Sequence, residues 1–446
     1  MTRIFLTLCL LFVSFLLFEV KAEEIKVSPG TLKDGLSSLK DGDDTLILRG
    51  DINSTDFPAF KLLPSSVKTL DMEGLNLRGG VVLSPGKDGR TAYGEGELPA
   101  YLFFNSSLRE VVLPSNLTVI GEGCFSSSAV RTVVFPKGCD EIADYAFYDC
   151  ISLRDIELPA GLKKVGKMAF GNTSSLRSLD FPAGVKLSGP EILKGSGAGI
   201  VDISDAAVAS DYSLANTESL YEVKVSDKTQ LEKGVLMANS RLTYINGEIS
   251  EIPPLFAAAS PEVNSYMILA AAEEIGEGAF ASCRNALVIL GDKVSYIADR
   301  AFAYSSELKG IEANALGDRI PYAEENAFEG VEESEIPLYV TADSFDVWAS
   351  DPYWSRFDIR PGQTSIKDLE DINSENVFIA CKDGILTVRT EGGVGDYFVT
   401  TADGIVLFSG YCAEDRLHLD LNGTPSKLIM VKVANENRHK SVTILK

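Results

Sequence analysis

Apolar residues return in phase through the middle of the chain. Leu108, Val111 and Leu113 lead into Pro114, and the same spacing recurs at Val130, Val133, Phe135 and Pro136. It recurs at Leu153, Ile156, Leu158 and Pro159, then at Leu176, Leu179, Phe181 and Pro182, with starts 22, 23 and 23 residues apart. Weaker copies begin near Ala198, Leu220, Leu242, Val263, Asn285 and Leu308, and a last one precedes Ile336. A second half-motif keeps the same phase: Ile120-Gly121 before Phe125, Ile142-Ala143 before Phe147 and Val165-Gly166 before Phe170, returning at Ile275-Gly276 before Phe280 and Ile297-Ala298 before Phe302.

The spacing predicts the unit. Val111 and Leu113 are two apart, so in an extended strand they share a face while Val112 points the other way. Pro114 lacks a donor and closes the strand. Gly121, or its Ala counterpart, suits a tight bend, after which Phe125 turns back into the same core. One unit cannot bury this set alone, so units must stack. The expectation is mainly β: a solenoid with strands ~4.8 Å apart in one long parallel sheet, about eleven units and roughly 50 Å long. The Phe positions should form a continuous aromatic spine.

The pattern LxxIxLPxxLxxIGxxAFxxC resembles the BspA-type leucine-rich repeat, a family of surface and secreted proteins of Bacteroidetes-like bacteria and some mucosal protists. Gly30-Thr31-Leu32, Leu46 to Asn53 and Val67 to Met72 resemble the family's capping unit. Leu338-Tyr339-Val340, Trp348, Tyr353-Trp354 and Phe357 resemble its terminal unit, whose aromatics would cover the last open strand. The division expected is a capping region over 23–107 and repeats with a terminal cap over 108–360. Between about Ala198 and Ala259 the Pro and Gly-Phe landmarks fade, which leaves the register there open.

After Arg360-Pro361-Gly362 the period stops. Short apolar runs follow at Val377–Ala380, Ile385–Arg389, Tyr397–Thr401, Ile405–Ser409, Leu417–Leu421, Leu428–Val433 and Val442–Leu445. Turn signals at Asp383-Gly384, Gly392-Gly393, Asp403-Gly404 and Asn422-Gly423 separate most of them, predicting a small antiparallel β-sandwich over 361–446. The run from Val399 through Asp403-Gly404, Leu407, Gly410 and Leu417–Leu421 to Ile444-Leu445-Lys446 resembles a type IX secretion sorting domain. That resemblance implies the secretion machinery as a partner and the outer-membrane surface as a destination. It departs near Lys427, where the usual Gly-x-Tyr lead is missing, so a sorting signal and a retained structural domain both stand.

The first segment reads as an address. Arg3 precedes an apolar run from Ile4 to Phe18, and the small residue Ala22 stands before Glu23-Glu24. This is the form of a secretory signal peptide over 1–22, cut between Ala22 and Glu23. No later stretch is apolar enough for a transmembrane span, so the mature chain is expected to be exported, at the outer-membrane surface or extracellular.

Charge narrows the partners. The 446 residues hold 41 Lys+Arg against 64 Asp+Glu, a net charge of −23, which argues against nucleic acid. The two histidines, His418 and His439, both follow residue 361, leaving the repeats without His-based acid–base chemistry, a Ser-His-Asp triad or His-rich zinc ligation. There is no GxxxxGK[ST], GxSxG, HExxH or CxxC. Cys124, Cys150 and Cys283 stand where other repeats carry Ala, Ser or Thr, and read as small buried residues. Asp41-Gly-Asp43-Asp44 lacks full EF-hand spacing and reads as an acidic turn. No catalytic, cofactor-binding or metal-binding residue is expected, and the chain is not expected to be an enzyme.

One set of residues stands out. Arg109, Arg131, Arg154 and Arg177 occupy one position in four successive units, so stacking aligns them as a ladder. The first account is local pairing with Glu110, Asp155, Glu157 and Asp180. The second is a ligand-binding stripe that reads anions with forked guanidinium donors. The extended face of a repeat array and the family resemblance imply the expected function, binding of proteins or glycans on a host or on neighbouring bacteria, by a monomer, through area rather than chemistry. The alternatives are a structural spacer of the cell envelope and a glycan-capture accessory.

Overall fold

The computed structural model describes residues 22–40, 42–82, 91–263, 269, 271–284, 287–361, 377–382, 385–390, 395–401, 406–412, 416–421, 428–435 and 438–445. The expected leader up to residue 21 and the four Gly-containing turn signals of the last segment lie outside the described residues.

Two columns of short parallel strands wind through the repeats, in place of the single sheet expected. The LxxIxL half-motif forms the first column: Glu110–Val112, Thr132–Val134 and Asp155–Ile156, preceded by Ala22–Val27, Thr45–Ile52 and Thr69–Asp71. Each pair is in register at one coil's offset, Thr132 against Glu110 and Val133 against Val111. The Ile-Gly half-motif forms the second column, from Glu97–Leu98 through Val119–Ile120, Glu141–Ile142 and Lys164–Val165 to Gln230–Leu231. Both half-motifs carry enough alternating apolar residues to line one wall each, and the coil folds between them.

The first column is interrupted. Its opening sheet ends at Asp155–Ile156, and a new sheet starts at Ser178–Asp180 and runs through Ile200–Asp202 and Glu222–Lys224 to Tyr244–Asn246. Where the landmarks fade the coils nevertheless keep register, with Val201 against Val223 and Val223 against Ile245. Their inward positions stay apolar although the Pro and Gly-Phe signals are lost, and Val201, Val223 and Ile245 are all buried.

Between the columns the chain turns through two left-handed residues per coil. One set is Tyr101, Gly123, Tyr145, Met168, Glu191, Tyr212, Gly234, Leu255, Gly278 and Arg300; the other begins four residues later at Asn105, Ser127, Asp149 and Asn172. Their side chains vary because the backbone sets the turn. The N–H of Tyr101 bonds the carbonyl of Glu122, that of Gly123 bonds Asp144, and that of Tyr145 bonds Lys167, each at 2.8–2.9 Å. At the non-glycine positions these bonds offset a left-handed cost of about 1–2 kcal/mol per residue. Gly123 has a second reason to be glycine, since a Cβ there would meet the Tyr101 ring at 2.3 Å. Gly121 differs from expectation. Its φ is not left-handed; a Cβ would strike the carbonyl oxygen of Leu98 at 2.5 Å, so close backbone approach explains it.

Two residues after each first left-handed position comes the spine. Phe103, Phe125, Phe147 and Phe170 stack with centroids 5.0, 5.2 and 5.5 Å apart. The aromatic run then breaks, against expectation. Leu193, Leu214, Leu236 and Ala257 take its place, and Phe280, Phe302 and Phe328 resume it at 5.7 and 5.1 Å. Phe256 sits one residue out of phase and meets Phe280 edge-on at 6.1 Å. Beside the spine runs a buried column of small polar groups: Ser128, Cys150, Thr173, Ser196, Thr217, Asn239, Ser260, Cys283 and Ser305. The Thr173 hydroxyl donates to the Phe170 carbonyl at 2.7 Å and the Asn239 amide donates to Leu214 and Leu236, so these buried groups satisfy turn carbonyls.

Both ends of the array are covered. At the first, the buried Asp56 accepts the N–H groups of Gly30, Leu32 and Asn53 and holds the helix Leu32–Leu36 against the entry strands. At the last, Trp348 and Trp354 lie 5.4 Å apart and fully buried. Their indole N–H groups donate to the carbonyls of Gly317 and Pro321.

The final segment forms two antiparallel sheets. Val377–Lys382, Ile385–Thr390 and Arg416–Asp420 make one, and Val406–Cys412, Gly395–Thr401, Leu428–Asn435 and Arg438–Leu445 the other, in that order. The fold is thus mainly β, a parallel solenoid followed by a small antiparallel unit.

Candidate arginine-edged face

Each ladder arginine is placed by its neighbours. Leu108, Val130, Leu153 and Leu176 are buried, and so are Val111, Val133 and Leu179 three residues on. Between these anchors the strand presents Arg109, Arg131, Arg154 and Arg177 outward, and all four are exposed. The rungs stack directly: the Arg109 carbonyl accepts the Arg131 N–H at 2.7 Å, and the Arg131 carbonyl accepts the Arg154 N–H at 3.2 Å.

The local pairing expected with Glu110, Glu157 and Asp180 does not form among the described residues; the Asp155 side chain lies outside them. Charge pairing occurs elsewhere on the array. Arg49, Arg78, Arg284, Arg300, Arg356 and Arg360 each close an ion pair. On the second column Lys163 meets Asp140 and Lys164 meets Glu141 across rungs, both at 2.7 Å. The two lysine pairs join adjacent rungs, while Arg360 pairs with Asp358 two positions away on its own strand at 2.6 Å.

Three positions past the four arginines stand Val112, Val134, Glu157 and Asp180, so the flank is apolar on two rungs and acidic on two. Val134 is 53% exposed and Ile151 58%, while Val112 and Ile156 are half-buried. Where the first column breaks, an open depression of about 290 Å³ is lined by Val133, Arg154, Ile156, Glu157 and Ser178. Sequence reasoning identified the ladder but missed this depression, because nothing in the residue pattern announces that Asp155–Ile156 and Ser178–Asp180 part.

Other candidate chemistry is spent on structure. Cys124, Cys139, Cys150 and Cys283 are buried free thiols. Burial pushes Cys139 and Cys283 up to about 12 and Cys150 to about 11, and Cys124 also upward, which suppresses the thiolate. Among the described residues no group of three His, Cys, Asp or Glu side chains is arranged to hold a metal ion. Asp43 accepts the Lys40 N–H at 2.7 Å and closes a turn. His418 is exposed and its Nδ1 lies 3.0 Å from the Thr387 hydroxyl. Among the described residues no helix is long and apolar enough to cross a membrane.

The chain is similar to several solved proteins and to one family model. The solved T. pallidum leucine rich repeat protein is 24% identical over 37% of this chain and 87% of its own, with a TM-score of 0.31. A leucine-rich repeat protein from Bacteroides ovatus is 17% identical over 66% of this chain and 92% of its own, at 0.31. The pneumococcal vaccine antigen PcpA is 15% identical over 77% and 84%, at 0.32. No curated protein matches the chain. The family model described as BspA type leucine rich repeat region matches in six copies, over residues 96–221, 140–256 and 273–349. These spans cover more than half of the sequence, and the chain belongs to the BspA-type leucine-rich repeat family.

Proposed function

We propose that this is an exported, non-enzymatic interaction protein that uses the outward face of its first-column strands to bind a protein or glycan at a host or bacterial surface. The single observation that carries the reading is the ladder of four exposed arginines, without ion pairs among the described residues, on a chain of net charge −23. Exposed guanidinium groups offer forked contacts to carboxylate, sulfate or phosphate groups. In this reading residues 1–22 are a leader cut between Ala22 and Glu23, 23–107 cap the array, 108–360 bind, and 361–446 sort or anchor the chain.

Cut after Ala22, the mature chain would begin inside the strand Ala22–Val27 and keep its buried Ile25 and Val27. The test is surface binding by residues 23–446 to extracellular matrix and to neighbouring bacteria. Binding without turnover is expected, and loss of signal between about 0.1 and 1 M salt should follow from screening. Absence of binding to every surface would overturn the proposal. Fractionation of cells making the full chain should place it outside the cytoplasm, and deletion of 361–446 should change that placement.

A further inference from the structure

Beyond the arginine-edged face, we propose a second site on the wall of turns, where paired aromatic rings bind a chain of neutral pyranose sugars. Three tyrosines on that wall are held in one way. A Cβ on Gly123 would meet the Tyr101 ring at 2.3 Å, one on Gly171 the Tyr148 ring at 2.9 Å, and one on Gly330 the Tyr304 ring at 2.6 Å, so each ring rests on a glycine of the next coil. The residue beside that glycine holds the hydroxyl. Tyr101 donates to Glu122 at 2.7 Å, Tyr304 donates to Glu329 at 2.7 Å, and Tyr148 accepts from the Asn172 amide at 3.0 Å. Held at ring and hydroxyl, Tyr101 and Tyr304 still stay 46% and 53% exposed.

Two coils carry these rings in pairs. Tyr101 meets Phe104 edge-on at 6.2 Å, and Tyr145 meets Tyr148 edge-on at 5.7 Å. The pairs stand two coils apart, roughly 10 Å at ~4.8 Å per coil, which is the reach of a disaccharide. On the coil between, the same two positions hold Gly123 and the buried Ser126, so only the Tyr101 ring lies across that floor. A pyranose can lay its apolar C–H face on each pair while its hydroxyls reach the polar ring edges.

The borders of the rings select a ligand rich in donors and free of charge. Tyr101 and Tyr304 give their hydroxyl protons to carboxylates, which leaves acceptors around the rings. Sugar hydroxyls supply donors there, whereas a proline-rich peptide, the other ligand that lies flat on aromatic rings, supplies carbonyl acceptors. Over residues 101–105, 122–127, 144–149 and 167–172 the wall holds Glu122, Asp144 and Asp149 against Lys167, so a polyanion is repelled. A cationic partner meets cations already in place: Lys167 lies over Tyr145 at 5.8 Å, and Arg300 pairs with Glu329 at 2.6 Å.

The test is titration calorimetry of the 23–446 chain with cellohexaose, mannohexaose and N-acetylchitohexaose as neutral probes, and heparin and decaproline as comparisons. At least one neutral hexasaccharide should bind through this wall. Its affinity should fall at least about tenfold in Tyr101→Ala/Tyr148→Ala and stay within about threefold of the wild type in Tyr101→Phe/Tyr148→Phe, which keeps both rings. Phe104→Ser removes an exposed ring and should also weaken binding, with unchanged thermal unfolding. R131Q/R154Q should leave sugar binding as it is, because the arginine ladder is a separate face. No binding of any neutral hexasaccharide, or sugar binding unaltered by both the alanine pair and Phe104→Ser, would overturn the inference. Heparin or decaproline binding that is lost with the alanine pair would overturn it as well, by assigning the rings to an anionic or proline-rich ligand.

Discussion

The rings of Phe125 and Phe147 lie 5.2 Å apart and within 1° of parallel, one coil above the other. Phe147→Ala removes the middle ring of the stack Phe125–Phe147–Phe170 and should cost about 3–5 kcal/mol through the cavity left behind. Phe147→Leu should cost a fraction of that, because Leu193, Leu214 and Leu236 already fill the position in later coils. Urea unfolding midpoints of the two variants check this; equal midpoints would remove the spine as a source of stability.

Arg49 and Asp71 predict how the first cap answers to acid. Two bonds of 3.0 Å join the guanidinium to the carboxylate, and the Glu73 N–H adds a third at 2.9 Å. Burial pushes the Asp71 carboxyl up, but the Arg49 and Glu73 bonds outweigh it and hold the pKa below the ordinary value. A depressed carboxylate contributes stability above its unfolded pKa of about 3.9 and loses it as pH falls through the folded value. The difference in unfolding temperature between the wild type and Asp71→Asn should therefore shrink below about pH 4. A difference that persists unchanged at lower pH would mean the ion pair is not its source.

The four buried thiols should be silent. Cys124, Cys139, Cys150 and Cys283 are held protonated by burial, so iodoacetamide should leave them unlabelled at neutral pH until the array unfolds. Mass spectrometry of native and urea-treated protein separates the two states. Native labelling at Cys150 would show that the polar column opens readily.

At the other end, Trp354 closes the spine by meeting Phe328 edge-on at 6.2 Å. Trp354→Ala should cost about 3–5 kcal/mol and open Phe328 to solvent. Size-exclusion chromatography should then detect self-association through the uncovered end, since an open solenoid end is a template for pairing. A monomeric variant of normal stability would assign the capping to Trp348 alone.

Much of the coil was legible because burial repeats with the sequence. Val111, Val133 and Leu179 fall inward at the positions their spacing implies, and Phe125, Phe147 and Phe170 stack. The left-handed positions were not legible: Tyr101, Met168, Glu191 and Leu255 share a dihedral and no chemistry. Phe256 looks like a spine residue in the sequence, yet Ala257 holds that place, because register follows the turn two residues earlier. The arginine ladder was visible from its period. That no ion pair to these arginines forms among the described residues was not, since pairing depends on side-chain geometry that the spacing of charges does not fix.

The hydrogen bonds between turns also bear on how such a gene changes. Each coil is held by the same backbone atoms reaching forward to its successor, whatever side chains it carries. Misaligned recombination that adds or deletes one whole period would rejoin those atoms correctly and leave the interior continuous, while any other length would break it. Lineages carrying this array are thus free to lengthen, shorten and reshuffle their outer surface in whole steps without having to evolve folding anew.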